Sequence, residues 1–157
     1  MKISSIKQAW NYYRENNIDK STLKKVAVYI RADDEETSLQ EICMQRIEIY
    51  SYCINNGLYP VLECGDIWGG YGIQENCDSL KKLIEEADKE KEWDAILVYE
   101  YNRIADDIDG MLELHYSLHS KGVDLLDVYG SNFAVIDKWY KEHIKKSLKV
   151  KRNEKNN

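Results

Sequence analysis

Four short apolar runs punctuate the chain, and a stretch with helical spacing of apolar residues follows each one. The runs cover residues 26–30, 58–64, 95–99 and 123–129. The first run, Val-Ala-Val-Tyr-Ile, is too compact for a helix and is typical of a strand buried in a parallel sheet. Strands that alternate with helices predict an α/β fold with a mainly parallel sheet. We therefore expect one α/β domain whose sheet has four or five strands and is flanked by helices.

Helices are predicted wherever apolar residues recur at helical spacing. They cover residues 3–14, 78–90, 106–120 and 132–149, and a longer one ends before Gly57. This longer helix begins with one of two capping boxes, Thr37 with Gln40 or Ser38 with Glu41. Its expected apolar face contains Leu39, Ile42, Cys43, Ile47, Tyr50, Cys53 and Ile54.

Charge is distributed unevenly along the chain. There are 22 basic and 28 acidic residues among 157, a net charge of −6. Residues 138–157 hold eight basic and two acidic residues, a net of +6, which leaves −12 for residues 1–137. An acidic body excludes a protein that coats nucleic acid with its whole surface. We expect a helical extension at 1–24, the main domain at 25–131, and a helix with a basic tail at 132–157.

Nothing in the sequence predicts a membrane span, a cofactor or a metal centre. No apolar run approaches the roughly 18 residues that a span requires, and the first residues lack a signal peptide's apolar core, so we expect a cytoplasmic protein. The cysteines at 43, 53, 64 and 77 are not spaced as zinc ligands. His115 and His119 have a spacing that can grip zinc, but without a third ligand a surface pair is favoured.

Polar residues follow three of the predicted strands. They are the segments 31–34 (Arg-Ala-Asp-Asp), 65–66 (Gly-Asp) and 100–103 (Glu-Tyr-Asn-Arg). The carboxyl ends of parallel strands meet at one edge of a sheet, and sites in α/β proteins form just beyond that edge. The sequence therefore predicts that any chemistry is located there.

The same three regions resemble the signature segments of the serine recombinases, which include resolvases, invertases and transposon integrases. Residues 28–40 (Val-Tyr-Ile-Arg-Ala-Asp-Asp-Glu-Glu-Thr-Ser-Leu-Gln) resemble the family's Y-x-R-V-S-T-x-x-Q-S-L. Residues 65–70 (Gly-Asp-Ile-Trp-Gly-Gly) stand where the family has D-x-x-S-G, and residues 96–104 resemble its strand ending in L-D-R-L. The resemblance extends over residues 25–130 and implies a resolvase-like catalytic domain.

The resemblance also implies a demanding active site. In this family a serine hydroxyl attacks a DNA phosphodiester and forms a covalent phosphoserine link, while several arginines neutralise the phosphate. No metal is required. Carried over position by position, the family's tyrosine and first arginine are Tyr29 and Arg31, and the arginine after the third strand is Arg103. The position of the nucleophilic serine is Asp33.

Other positions of the motif also differ from the family pattern. The serine of the second loop falls at Gly69, followed by Gly70. Two further arginines fall at Cys77 and Asp106, and the aspartate before the third-strand arginine is Asn102. The resemblance thus assigns Arg31, Asp33 and Arg103 to catalytic positions, with an aspartate in place of the nucleophile.

Charge decides what such a site can do. Two like charges about 4 Å apart repel by roughly 4 kcal/mol at an effective dielectric near 20, so Asp33 opposes an incoming phosphate. Asp106 places a negative charge where the family has a positively charged arginine. The sequence therefore predicts a recombinase homologue that does not cleave DNA and acts by binding or regulation.

The expected partners are a second copy of the chain or an active recombinase. DNA is a weaker expectation, with contacts from Arg31 and Arg103 and from the tail residues Lys145, Lys146 and Lys149. No membrane and no small-molecule substrate is expected.

Two enzymatic alternatives remain open. The chain could be the catalytic part of a longer recombinase that is still active. Alternatively, carboxylates at the sheet edge could hold Mg²⁺ in a metal-dependent phosphodiesterase. The candidates for that role are Asp33, Asp34, Asp66, Glu100, Asp106 and Asp107.

Overall fold

A four-stranded parallel sheet forms the centre of the computed structural model, which describes residues 2–67, 78–105, 107–131, 135–136, 138–139, 141–143 and 152–155. The strands are β1 (Lys24–Ala32), β2 (Leu58–Ile67), β3 (Ala95–Val98) and β4 (Asp124–Asp127). Their order is β2-β1-β3-β4, and all neighbours pair in parallel. Helix α1 (Ile6–Glu15) precedes β1, and the helices between the strands are α2 (Ser38–Asn55), α3 (Asp78–Glu86) and α4 (Ile108–Ser120). The predicted α/β class is confirmed.

Alternation along β1 divides the core into two layers. Val26, Val28 and Ile30 point to the layer that α1 and α2 cover, whereas Ala27 and Tyr29 point to the layer that α3 and α4 cover. β1 lies between β2 and β3, and its residues from Val26 to Ala32 are buried. A strand covered on both faces needs the continuous apolar run that the sequence shows.

Helix α1 packs against β2, one of the two edge strands of the sheet. Its Ala9 and Tyr13 are buried, the Tyr13 hydroxyl donates to the carbonyl of Leu58, and Trp10 Nε1 donates to the carbonyl of Pro60 at 2.7 Å. Both carbonyls belong to β2, so two backbone acceptors of this edge strand gain side-chain donors. The proposed boundary between residues 24 and 25 stays a prediction.

Helix α2 differs from its predicted form in two respects. Thr37 is the N-cap residue, but its hydroxyl makes no capping bond and donates to Glu41 Oε1 at 2.8 Å, while Ser38 Oγ donates to the carbonyl of Glu35. Neither predicted capping box forms. The buried face is also rotated from the predicted one, since Leu39 is 73% exposed and Gln45 is fully buried. Tertiary contacts of Glu41 and Gln45, described below, account for both differences.

The other helices follow their predictions with shifted ends. α3 stops at Glu86, and α4 begins at Ile108 because the Asp107 carboxylate caps it by accepting from the amide of Gly110 at 2.6 Å. Gly57 follows α2 with a left-handed φ of +65° and so confirms the predicted stop. The predicted helix at 132–149 lies partly outside the described residues, and 135–136, 138–139 and 141–143 are helical. Among the described helices, none is both long and apolar enough to cross a membrane.

Candidate functional site at the carboxyl edge of the sheet

Two arginines meet beyond the ends of β1 and β3. Arg31 is the penultimate residue of β1, and Arg103 closes a single 3₁₀ turn (Tyr101–Arg103) that follows β3. One guanidinium nitrogen of Arg31 donates to the carbonyl of Asn102, and Arg103 Nη1 donates to the carbonyl of Arg31 at 3.3 Å. Only 5% of the Arg31 side chain and 12% of the Arg103 side chain are exposed. The fold therefore brings together the two arginines that the sequence placed at the site.

Asp33 lies between these arginines. Its Oδ1 accepts from Arg31 Nε at 3.0 Å, and its Oδ2 accepts from Arg103 Nη1 at 3.0 Å. Each carboxylate oxygen thus has a different guanidinium partner, and about half of the Asp33 side chain is exposed. The Asp33 carboxylate occupies the space that the two cations share.

Glu41 completes the network from helix α2. Its Oε2 accepts from the backbone amide of Asp33 at 3.0 Å and from Arg103 Nη1 at 3.3 Å, and its Oε1 accepts from Thr37. Burial works to raise the pKa of Glu41, but the hydrogen bonds from Asp33 and Thr37 and the charge of Arg103 outweigh it and lower the pKa. Glu41 therefore connects the start of α2 to the ends of β1 and β3 as a carboxylate.

Gln45 supports Arg31 from one helical turn further along α2. Its side chain is fully buried and donates from Nε2 to the carbonyl of Arg31 at 2.8 Å. The pairing of β1 with β3 ends at Val28, so the buried amide of Gln45 satisfies a carbonyl of β1 beyond that pairing. This contact is why a polar residue occupies the buried face of α2.

The described part of the site carries no surplus of positive charge. Arg31 and Arg103 face the carboxylates of Asp33 and Glu41, and Glu100 Oε1 lies 3.9 Å from Arg103 Nε. Arg103 Nε itself is buried and makes no hydrogen bond with the residues that the structure describes. Three carboxylates against two guanidinium groups make an environment that repels a further anion.

A second aspartate at the same edge has a different role. Asp66 Oδ2 accepts from the hydroxyl of buried Tyr29 at 2.8 Å and from the amide of Leu80 at 3.2 Å, and Oδ1 accepts from the amide of Ser79 at 3.1 Å. Ser79 and Leu80 lie in the first turn of α3. Asp66 therefore caps α3 across 13 residues of sequence, and it binds neither arginine among its described contacts.

The residue before Asp66 must be small. A Cβ on Gly65 would lie 2.5 Å from the carbonyl oxygen of Ile30 on β1. The end of β2 therefore approaches β1 closely, and the side chain of the next residue, Asp66, contacts the hydroxyl of Tyr29 on β1.

Several predicted site residues lie outside the described residues. They are Gly69, Gly70, Cys77, Asp106, Lys145, Lys146 and Lys149. Of the predicted catalytic positions, the structure brings Arg31, Asp33 and Arg103 into one network. The sequence did not identify Glu41 or Gln45 as members, although both lie on α2, which follows Asp33 directly.

No described group of three or more histidine, cysteine or carboxylate side chains is arranged to hold a metal ion. The rings of His115 and His119 stack at 5.7 Å, and His119 Nδ1 lies 3.9 Å from Asp124 Oδ1. Asp107, one of the carboxylates considered for Mg²⁺, caps α4 instead.

Solved structures provide the comparison for this arrangement, since neither a family model nor a curated protein matches the chain. The N-terminal catalytic domain of TP901-1 integrase is 20% identical, with a TM-score of 0.59 over 76% of this chain and 98% of that one. The C-terminal catalytic domain of ISC1926 TnpA, an IS607-like serine recombinase, is 20% identical, with a TM-score of 0.58 over 72% of this chain and 76% of that one.

A third structure agrees with these two. A resolvase family site-specific recombinase from Streptococcus pneumoniae is 18% identical, with a TM-score of 0.59 over 84% of this chain and 97% of that one. All three match the fold of this chain over 72% to 84% of its length, so the resemblance seen in the sequence is confirmed at the level of the fold. The chain has the fold of a serine recombinase catalytic domain.

Proposed function

We propose that this chain is a recombinase-fold protein that does not perform serine-dependent strand transfer and acts through binding. The observation that carries the proposal is the position of Asp33, whose two carboxylate oxygens each accept a hydrogen bond from a different arginine. A phosphodiester could reach Arg31 and Arg103 only by displacing this carboxylate, which is covalently attached and always present. The two arginines are neutralised within the protein.

The neighbouring hydroxyls do not replace the missing nucleophile. Thr37 Oγ1 donates a hydrogen bond to Glu41, and Ser38 Oγ donates one to the carbonyl of Glu35 at 2.9 Å. A nucleophilic hydroxyl needs a base and a cationic surrounding that stabilises the transition state. Glu41 is an acceptor for Thr37, but it also adds negative charge where the phosphate would develop its own.

The partner of such a protein is a second copy of the chain or an active recombinase, and we place the protein in the cytoplasm. The described cysteines Cys43, Cys53 and Cys64 carry free thiols, which fits a reducing compartment. Contact with DNA through Lys145, Lys146 and Lys149 belongs to the same proposal, because the +6 segment that contains them is the chain's main concentration of basic residues.

The decisive experiment is a trapping assay with the full chain. A pool of random-sequence duplexes, each with a nick that prevents religation, is incubated with the protein, and covalent adducts are detected on a denaturing gel. We expect no adduct. Asp33→Ser should also form none, because it restores a hydroxyl but leaves Glu41 and Glu100 beside Arg103. A stable adduct formed by the unaltered chain contradicts the proposal.

A further inference from the structure

The two halves of the edge strand β2 are protected from further pairing to different extents. β2 pairs with β1 on one side, and no described strand lies along its outer side. In the first half, Tyr13 and Trp10 of α1 donate to the carbonyls of Leu58 and Pro60, and a register shift against β1 follows directly after Pro60. A proline, an irregular pairing and a covering helix are features that keep an edge strand from pairing with another chain.

The second half of β2 lacks these features within the described part of the chain. We call this half, residues 61–67, the open edge. It contains no proline and no lysine, and no described side chain outside it donates to its backbone. Gly65 is exposed, and 53% of Ile67 is exposed. The outer side of the open edge is therefore available for pairing with a further strand.

A cavity flanks the open edge on the face of the sheet that α2 covers. Its volume is about 280 Å³, and Ile30, Ile42, Glu63 and Ile67 contribute to its lining. Ile30 and Ile42 belong to the core layer beneath α2, so the floor of this cavity is apolar. The cavity has room for one bulky apolar side chain from outside.

A second cavity flanks the open edge on the opposite face. Its volume is about 450 Å³, and Val61, Leu62, Glu86 and Trp93 contribute to its lining. Val61, Leu62 and Trp93 belong to the core layer beneath α3 and α4. Because successive side chains of a strand point to opposite faces of a sheet, a strand added to the open edge would place alternate side chains at the two cavities.

The lining of the two cavities is acidic overall. It contains five carboxylates and three basic side chains, a net charge of −2: Glu63, Asp66, Glu86, Glu90 and Glu92 against Arg46, Lys89 and Lys91. Arg46 is already bound by Glu63 through two hydrogen bonds of 2.9 and 2.7 Å, and Lys91 donates to the carbonyl of Ala87. A nucleic acid would be repelled here, whereas a basic segment would be attracted.

We propose that the open edge of β2 docks an extended, basic segment of a partner protein as a further strand of the sheet. Main-chain hydrogen bonds hold the segment, its apolar side chains enter the two cavities alternately, and its lysine or arginine side chains face the carboxylates. None of Arg31, Asp33 and Arg103 lines either cavity. The inference therefore does not depend on whether the chain cleaves DNA.

The test measures the binding of a fluorescently labelled synthetic peptide to the full chain by fluorescence anisotropy. In the peptide, valine alternates with lysine around one central phenylalanine. We expect saturable binding that is weaker at about 500 mM than at about 50 mM NaCl. Ile67→Lys and Glu86→Lys should each raise the dissociation constant about tenfold, because each adds positive charge beside the open edge. The matched controls are Ile108→Lys and Glu113→Lys, which change an exposed isoleucine and an exposed glutamate of α4.

Two altered peptides test the mode of binding. N-methylation of alternate backbone amides removes main-chain donors but keeps the side chains and their charge, so it should weaken binding at least about tenfold if the peptide pairs as a strand. Replacement of every lysine by glutamate should weaken binding as strongly, because the peptide then has the same sign of charge as the cavities.

Four outcomes would overturn the proposal. The absence of saturable binding at about 1 mM peptide would show that the edge accepts no such segment. Binding that N-methylation leaves unchanged does not use strand pairing, and binding that the α4 controls weaken as much as Ile67→Lys and Glu86→Lys is not located at β2. A dimer of the chain that the peptide dissociates, detected by sedimentation equilibrium, would assign the open edge to a second copy instead. Circular dichroism of each variant shows that its fold is retained.

Discussion

Asp33 follows β1 and Asp66 is the penultimate residue of the neighbouring strand β2, at the same edge of the sheet, yet the structure gives the two aspartates different kinds of partner. Asp33 is held by the side chains of Arg31 and Arg103, two charged groups. Asp66 is held by a phenolic hydroxyl and two backbone amides at the start of α3. The two residues are close in the sheet, since Arg31 on β1 is the register partner of Asp66 on β2.

This contrast separates a structural role from a functional one. The donors around Asp66 belong to the fold itself, so its carboxylate is part of the connection between β2 and α3. The donors around Asp33 are side chains that the fold would keep in any case, because Arg31 and Arg103 also bind the backbone carbonyls of Asn102 and Arg31. Removal of Asp66 should therefore destabilise the protein, whereas removal of Asp33 should mainly change the charge of the site.

The largest expected effect is on Asp66. Asp66→Ala removes the cap of α3 and the acceptor of the buried Tyr29 hydroxyl, and we expect the free energy of unfolding to fall by about 2 kcal/mol. Urea denaturation at pH 7 measures this change. Asp34→Ala is the matched control, since exposed Asp34 accepts only from the nearby amide of Glu36 among its described contacts. Equal losses for both variants would contradict the structural role assigned to Asp66.

Glu41 provides a smaller and pH-dependent test. Its pKa is lowered in the folded protein, so its stabilising effect is complete above the ordinary value of 4.5 and is lost as the pH falls through the lower folded value. We expect Glu41→Gln to cost about 1 kcal/mol at pH 7 and to flatten the loss of stability between about pH 5 and pH 3.

Urea denaturation midpoints at several pH values measure the slope of stability against pH. Glu35→Gln, at an exposed glutamate, is the control. Part of the slope should remain in Glu41→Gln, because Glu63 also has a lowered pKa: bonds from Arg46 and Tyr50 to its carboxylate outweigh the opposing effect of burial. A slope that is unchanged by Glu41→Gln contradicts the assigned role of Glu41.

The sequence predicted the sheet well because its information is local. The centres of β1 and β3 are contiguous apolar runs, and Arg31, Asp33 and Arg103 lie just after these two runs, so topology brings them together. The roles of Glu41, Gln45 and Asp66 depend on contacts across 8, 14 and 13 residues of sequence, respectively. The local sequence pattern predicted a capping role for Glu41 and a free carboxylate for Asp66. It could not show the donors from other elements, which are Arg103 for Glu41 and the amides of α3 for Asp66.

The smallest expected effect concerns divalent metal, and it tests whether the edge carboxylates are available at all. Each carboxylate oxygen of Asp33 accepts a hydrogen bond from an arginine, and each oxygen of Asp66 accepts from a backbone amide, with the Tyr29 hydroxyl as a further donor. The two guanidinium groups beside Asp33 also repel a cation. A metal at 100 times its dissociation constant stabilises a protein by about 2.7 kcal/mol, which for a chain of this size raises Tm by roughly 5–10 °C. We expect Mg²⁺ or Mn²⁺ to raise Tm by less than about 1 °C relative to KCl of equal ionic strength. A rise of several degrees that Asp33→Asn abolishes would instead show that Asp33 exchanges its arginines for a metal ion, and the phosphodiesterase alternative would then replace the binding protein proposed above.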